Sequence, residues 1–184
     1  MAGPPLTSAR LTLRRLTLDD AADLALRRSD PATAEYQAWT HPYSLEKAVA
    51  LIDEVNSYDW AAPGHWHQLA VVENATGRVV GDATFYLANH GHTGEIGYTL
   101  HPWARGQGFA TEAAATIIDH LVEEIGVHRL EASTHPDNAA SNRVLERLGF
   151  TLEGVKKESY WVADVVSDDA IWGLLARDWV SQNP

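Results

Sequence analysis

The 184-residue sequence predicts an α/β (α+β) fold built on a mixed central sheet. Segments in which apolar residues alternate, as in half-buried strands, occur both before and after segments in which apolar residues recur at helical spacing. Their order is a strand, two helices, several strands, a βαβα unit and a closing hairpin, which is typical of a mixed sheet covered by helices. No internal repeat, low-complexity tract or linker interrupts this order. We therefore expect one domain over residues 1–184, with about residues 1–9 as a disordered tail.

The strands are predicted from this alternation and from turn residues. "RLTLRRLT" places Leu11 and Leu13 on one face, and the next two strands flank "NATG", whose Gly77 suits a turn. The closing hairpin is expected around "SDD" at residues 167–169. The strands before that hairpin are expected at residues 10–17, 65–73, 78–87, 93–102 and 127–134, which makes about seven strands in total.

The helices are predicted from capping residues and apolar stripes. Asp19 or Asp20 can cap the first helix, and Ser44 can cap the second. The third carries an apolar stripe along one face and is followed by Gly126 as its C-terminal stop. The helices are expected at about residues 20–28, 45–55, 111–125 and 138–149.

Composition excludes several classes of function. The net charge of −11 opposes binding to nucleic acid or to an anionic membrane surface, because both would repel the chain. The absence of cysteine excludes disulfides, thiolate-bound zinc and a cysteine nucleophile. No signal pattern and no apolar run of membrane-spanning length occur, so we expect a cytoplasmic protein with neither nucleic-acid nor membrane partners.

The stretch "HPWARGQGFATEAAATIIDHL" (101–121) carries the strongest chemical signal. A helix N-terminus presents unpaired backbone N–H groups and a partial positive charge, and glycines allow an anion to approach them closely. Arg105 adds a fixed positive charge with a fork of donors suited to phosphate. The segment therefore indicates either a diphosphate cradle or a plain glycine-rich turn. It is neither a P-loop nor a dinucleotide fingerprint.

A second strand–helix unit, which contains "HPDNAASNRVLERLGF", follows this stretch. Together the two stretches resemble the GNAT superfamily of acyl-CoA-dependent N-acetyltransferases, in which Arg105 to Ala110 fit the signature Q/R-x-x-G-x-G/A. "RLTLR", "VVGDATFYL", "GEIGYTLHPWARGQGFATEA" and "DDAIWGLL" narrow the likeness to the RimJ/RimL branch, which acetylates protein N-termini. The resemblance implies a GNAT fold whose sheet splays between its fourth and fifth strands, at residues 93–102 and 127–134.

The resemblance also implies the residues that bind acetyl-CoA, the expected co-substrate. The backbone amides of the signature turn would hold the pyrophosphate, and the backbone of Leu100 and His101 would pair with pantetheine as an added strand does. A polar cluster on the last predicted helix completes the site, although Asn138 can equally cap that helix. The expected cofactor-binding residues are Leu100, His101, Arg105, Gly106, Gln107, Gly108, Phe109, Ala110, Thr111, Asn138, Ser141, Asn142 and Arg143.

Candidate catalytic groups are a base for the amine and a donor for the departing sulfur. Glu95 is the first candidate for the base, acting through water, and Glu131 is the second, with an exposed or hydrogen-bonded acid as the alternative for each. Ser141 and Tyr98 are the candidate donors, with a solvated serine and a half-buried strand tyrosine as the alternatives. Trp39 and Trp66, together with Glu131, are the candidate acceptor-binding residues. No metal is expected, since the His65/His67 and His90/His92 pairs lack a convincing third ligand.

The sequence therefore predicts an acetyl-CoA-dependent N-acetyltransferase that works by direct attack in a ternary complex. By resemblance to the branch, the acceptor is a protein N-terminal α-amine. A small amine such as an aminoglycoside or a peptide antibiotic is the alternative acceptor, and an acyl-CoA-sensing module is the alternative to an enzyme. Whether the chain forms a homodimer is left open.

Overall fold

The computed structural model describes residue 3 and residues 5–182, so part of the expected N-terminal tail (residues 1, 2 and 4) lies outside the described residues. Eight strands form one sheet in the described part, against the expected seven. The strands are β1 (Leu6–Thr7), β2 (Leu11–Arg15), β3 (Trp66–Glu73), β4 (Val79–Ala88), β5 (Thr93–Leu100), β6 (Arg129–Thr134), β7 (Thr151–Val162) and β8 (Val165–Leu175). The helices are α1 (Ala21–Ser29), α2 (Pro31–Ala34), α3 (Leu45–Ser57), α4 (Phe109–His120), α5 (Ala139–Arg147) and α6 (Ala176–Gln182).

The sheet has the order β1-β2-β3-β4-β5-β6-β8-β7, and β5–β6 is its parallel pair among antiparallel neighbours. One face packs against α4 and α5, and its core includes Phe85, Ile117 and Leu145. The other face packs against α1 and α3 in a smaller core around Leu24 and Ile52. The mixed α/β fold is therefore confirmed as a sheet between two helical layers.

The opening in the sheet lies between the parallel strands β5 and β6. These strands pair only from Thr93 to Glu95 on β5 and from Arg129 to Glu131 on β6. Beyond that point β5 stays with β4 up to Leu100, and β6 stays with β8. The strands therefore diverge toward their carboxyl ends, and the predicted splay is confirmed. Such a crevice outside strand ends is where open α/β sheets bind ligands.

Three local expectations are corrected by the structure. Part of the expected disordered tail is ordered, because residues 6 and 7 pair with β2 and Leu6 is buried. The closing turn lies at Ala163 and Asp164 rather than at "SDD", which falls inside β8. Asp168 accepts hydrogen bonds from Lys157 Nζ at 2.7 Å and from the backbone of Glu158 at 3.0 Å, so it supports the irregular part of β7. The short helix α2, which carries Pro31 in its first turn, was not predicted.

Candidate active site

The signature turn has the geometry of an anion cradle. Gly106 and Gly108 have φ values of +76° and +82°, which few residues other than glycine adopt, and Gly108 is the N-cap of α4. Within the described residues, the backbone N–H groups of residues 107–111 have no hydrogen-bond acceptor. A row of unpaired donors at a helix N-terminus fits a pyrophosphate, so the residues present fit coenzyme A.

The turn is held from behind by the β1–β2 loop. Glu112 accepts hydrogen bonds from Ser8 Oγ and from the Arg10 backbone, both at 2.8 Å. Arg10 also donates to the Gln107 carbonyl at 3.1 Å. Burial acts to raise the pKa of Glu112, but these hydrogen bonds outweigh it and lower the pKa below its usual value. Glu112 is therefore a structural anchor of the turn, as its place in the first helical turn predicts.

Two residues predicted to contact the co-substrate have protein partners. Arg105 donates to Thr33 Oγ1 at 2.7 Å, which links the turn to α2. His101 is buried, its Nε2 lies 2.9 Å from Asp23, and its backbone N–H donates to the Val80 carbonyl. The His101 N–H is therefore paired with the sheet rather than turned toward the slot.

Tyr98 and Ser141, the two candidate donors, lie together beside the slot. The Tyr98 hydroxyl is 3.0 Å from Ser141 Oγ, which joins β5 to α5. Burial raises the pKa of Tyr98 to about 12, and the hydrogen bond with Ser141 only partly offsets it. A phenol with such a pKa is a poor proton donor to a thiolate, because the corresponding thiol has a pKa of only about 8.5. The pair is suited to hydrogen-bonding the sulfur rather than to full proton transfer from Tyr98.

The rest of the polar cluster shapes the start of α5. Asn138 accepts the Ser141 N–H at 3.1 Å, so its capping role is confirmed. Asn142 accepts from Thr134 Oγ1 at 2.7 Å and donates to the Pro136 carbonyl, which ties α5 to the end of β6. Arg143 is exposed on the same helix.

Glu95 and Glu131, the two candidate bases, lie opposite each other at the last position where β5 and β6 pair before they diverge. Glu131 accepts a hydrogen bond from Arg129 Nε at 2.8 Å. The Glu95 carboxylate forms no hydrogen bond with the described residues; burial, Glu131 and Asp169 raise its pKa, and Lys156 lowers it only in part. A carboxylate with a raised pKa and no hydrogen-bonded cation is suited to accept a proton, so the structure favours Glu95 over Glu131.

The face of the sheet that carries Glu95 is the candidate acceptor face. Directly opposite pairs place Trp66, Tyr86, Glu95 and Glu131 in one row across β3 to β6. Trp66 is 44% exposed and its ring centroid lies 5.3 Å from that of Tyr86. Trp39 lies outside this row, and its ring is covered by the guanidinium of Arg28 at 4.1 Å. Trp66 is therefore available to an acceptor, whereas the face of Trp39 is already occupied.

Sequence reasoning missed two residues of this face. Asp169 and Tyr160 come from the β7–β8 hairpin, and both interact electrostatically with Glu95. Burial raises the pKa of Asp169, although the Ser133 hydroxyl donates to it and lowers the pKa in part. The sequence held one signal for Asp169. Asp168 and Asp169 are adjacent, so in a strand their side chains point to opposite faces and one of them reaches the acceptor face.

The described part of the chain has neither a metal-binding cluster nor a membrane-spanning helix. No three or more histidine, aspartate or glutamate side chains there are grouped so that they could hold a metal ion. No helix among residues 5–182 has the length and apolar content needed to cross a bilayer.

Comparison with known proteins gives the family that the sequence motifs resemble. A sequence profile described as "Acetyltransferase (GNAT) domain" matches residues 10–151. The chain is 30% identical over 175 residues to the uncharacterised N-acetyltransferase p20 of Bacillus licheniformis, covering 95% of this chain and 97% of that protein. It is 36% identical over 76 residues to the ribosomal-protein-serine acetyltransferase of Escherichia coli, covering 41% of this chain and 42% of that protein.

Among solved structures, RimJ of Mycobacterium smegmatis in complex with CoA-disulfide superposes with a TM-score of 0.79. Its sequence is 23% identical, and the match covers 94% of this chain and 89% of RimJ. The RimJ/RimL-like resemblance is thus confirmed, and the chain belongs to the GNAT family of acetyltransferases.

Proposed function

We propose that the chain transfers an acetyl group from acetyl-CoA to a protein N-terminal α-amine by direct attack in a ternary complex. The observation that carries this proposal is the splay, which has the Tyr98–Ser141 pair on one face of β5 and Glu95 on the other. Bound acetyl-CoA would supply a thioester whose carbonyl carbon is open to attack.

Each group of residues in the candidate site has a defined role in this proposal. The backbone amides of residues 107–111 bind the diphosphate of acetyl-CoA. The unpaired edge of β5 orients the pantetheine arm that enters the slot. Glu95 removes the proton of the amine through water. Tyr98 and Ser141 donate hydrogen bonds where negative charge develops on the sulfur. No residue is needed as a covalent carrier, which agrees with the absence of cysteine.

The choice of a protein N-terminus rests on two supports. The partial likeness to the ribosomal-protein-serine acetyltransferase is one. The other is the exposure of Trp66, because an open acceptor face admits the end of a chain more readily than an enclosed pocket does.

The test is a panel of acceptors with acetyl-CoA, monitored by a thiol reagent that detects free CoA. We expect peptides with a free α-amine to react faster than the same peptides blocked at the N-terminus with an internal lysine. Plots of initial rate against both substrates should intersect. Parallel lines would refute direct transfer, and a preference for the blocked lysine peptide would refute the α-amine. If no amine causes release of CoA, the proposal that the chain is an acetyltransferase is refuted.

A further inference from the structure

The three carboxylates of the acceptor face differ in how their charge is balanced. Glu131 shares Arg129 with Glu153, so its negative charge is compensated within the protein. Glu95 and Asp169 form no close ion pair with the residues that the structure describes, and Lys156 offsets the charge of each only in part. Two incompletely balanced carboxylates therefore remain on a face that we assign to an amine acceptor.

Glu95 and Asp169 interact electrostatically, but they lie at different levels along the splay. Glu95 lies at the vertex of the splay, level with Glu131 and, one strand further, with Gly173 on β8. Asp169 lies four residues from Gly173 along β8, which is about 13 Å at the rise of an extended strand. Each carboxylate can thus meet a different charge of the same ligand.

Among the described residues, the cation that acts on Asp169 is its cross-strand neighbour Lys156. Lys156 is exposed and forms no close ion pair there, so water screens its charge. Lys157 is bound to Asp168 on the opposite face. The aromatic ring of Tyr160 is half-buried beside Asp169 and supplies an apolar wall that a cation with an aliphatic stem would contact.

Gln68 provides an observation independent of these charges. It lies on the same face, in the row Gln68–Thr84–Gly97 next to that of Glu95, and is only 8% exposed. Its side-chain amide has no hydrogen-bond partner among the residues that the structure describes, and its polar atoms reach the surface of this face. The amide can therefore bond a polar group of an acceptor that lies on the acceptor face.

We propose that Asp169 selects acceptors that carry a second positive charge beside the reacting amine. This inference rests on the proposed function and narrows its acceptor class. Glu95 meets the reacting amine, Asp169 meets the second cation, and Gln68 bonds a polar group of the acceptor. A basic residue behind a peptide N-terminus and an aliphatic diamine both carry the required charge.

The experiment compares matched acceptors that differ in that charge alone. Peptides beginning Ala-Arg are compared with Ala-citrulline peptides, and 1,5-diaminopentane with 1-aminopentane. For the wild type we expect kcat/KM to favour the dication by about tenfold or more, and the preference to fall as salt screens the charges. Preference in the peptide pair alone identifies a protein acceptor, and preference in the diamine pair alone identifies a small polyamine.

The variants assign the preference to one carboxylate. Asp169→Asn should abolish most of it, Asp169→Glu should restore it, and Lys156→Met should increase it by removing a competing cation. Asp168→Asn is the matched control, since that side chain lies on the other face, and it should leave the ratio unchanged. Equal rates for charged and uncharged acceptors in the wild type would overturn the inference while leaving the transferase intact. Absence of transfer to every amine would overturn both.

Discussion

Replacement of Glu95 by glutamine tests the assignment of the base most directly. The substitution keeps the size of the side chain and removes its ability to accept a proton. Since the Glu95 carboxylate forms no hydrogen bond with the described residues, its loss should disturb neither the sheet nor the cofactor turn. We therefore expect a lower kcat with little change in affinity for acetyl-CoA.

The magnitude follows from the protonation of the amine. At pH 7, deprotonation costs about 1.4 kcal/mol for an α-amine of pKa about 8 and about 4.6 kcal/mol for a lysine-like amine of pKa about 10.4. General-base catalysis contributes roughly 10²–10⁴-fold, which is about 2.7–5.4 kcal/mol of barrier. Glu95→Gln should therefore lower kcat by that factor, and by more for a lysine-like acceptor than for an α-amine.

The pH dependence has a defined sign. Glu95 acts only when it is deprotonated, and its raised pKa places the acid limb of kcat/KM above the usual range of a glutamate. At high pH the free amine is abundant, so the deficit of Glu95→Gln should shrink. Glu131→Gln removes a neighbouring negative charge and should move the acid limb of the enzyme to lower pH. Release of CoA can be followed with a thiol reagent without background, because the chain has no cysteine.

Glu131→Gln is also the matched control for the assignment. If Glu95→Gln keeps the wild-type rate at every pH while Glu131→Gln loses it, the base is Glu131 on β6. The hydrogen bond from Arg129 then does not prevent Glu131 from accepting a proton. If both variants keep the wild-type pH profile, bulk water takes the proton and the site works by positioning alone.

Three further predictions concern the co-substrate side and stability. Gly108→Asp should weaken binding of acetyl-CoA in calorimetry at least tenfold more than Gly108→Asn, because asparagine tolerates the same positive φ without the charge; equal losses would indicate strain alone. Tyr98→Phe and Ser141→Ala should each lower kcat about tenfold, and the double variant should lose less than the product of the two, since the hydroxyls act as one pair; fully multiplicative losses would contradict a shared role. Glu112→Gln should reduce the free energy of unfolding at pH 7 by about 1–2 kcal/mol in urea titrations. The lowered pKa of Glu112 means that this contribution is present above its unfolded value of about 4.3 and is lost as the pH falls, so a pH-independent difference would exclude the charge.

The sequence predicted the parts of the site that depend on local patterns. The glycine-rich turn before α4, the cap at Asn138 and the end of the third predicted helix at Gly126 all follow from residues within one turn of the feature. The parallel strands followed from the βαβ order, and the splay from the resemblance. Each of these needs no knowledge of which distant residues meet.

What the sequence could not predict depends on pairing between distant strands. Asp169 approaches Glu95 only because β8 inserts between β6 and β7. "SDD" suggested a turn because its composition is turn-like, yet Lys157 and the bulge of β7 hold Asp168 inside a strand. The tail was expected to be disordered because two paired residues of β1 produce no detectable alternation.

In the proposed mechanism, the alternation of β5 explains why the opening is needed. Successive residues of a strand point to opposite faces, so Glu95 and Tyr98 cannot share a side of an intact sheet. An acyl transfer needs a base on the incoming amine and a donor on the departing sulfur, and the two groups lie on opposite sides of the carbonyl. Where β6 leaves β5, beyond Glu95, a carbonyl can lie within the plane of the sheet and meet both. Gly97 lies between them and adds no side chain to the acceptor face, where a Cβ would meet the Thr84 methyl at 3.0 Å. Under this proposal, the position of the splay, one residue past the candidate base, lets a strand with functional groups on both faces serve one active site.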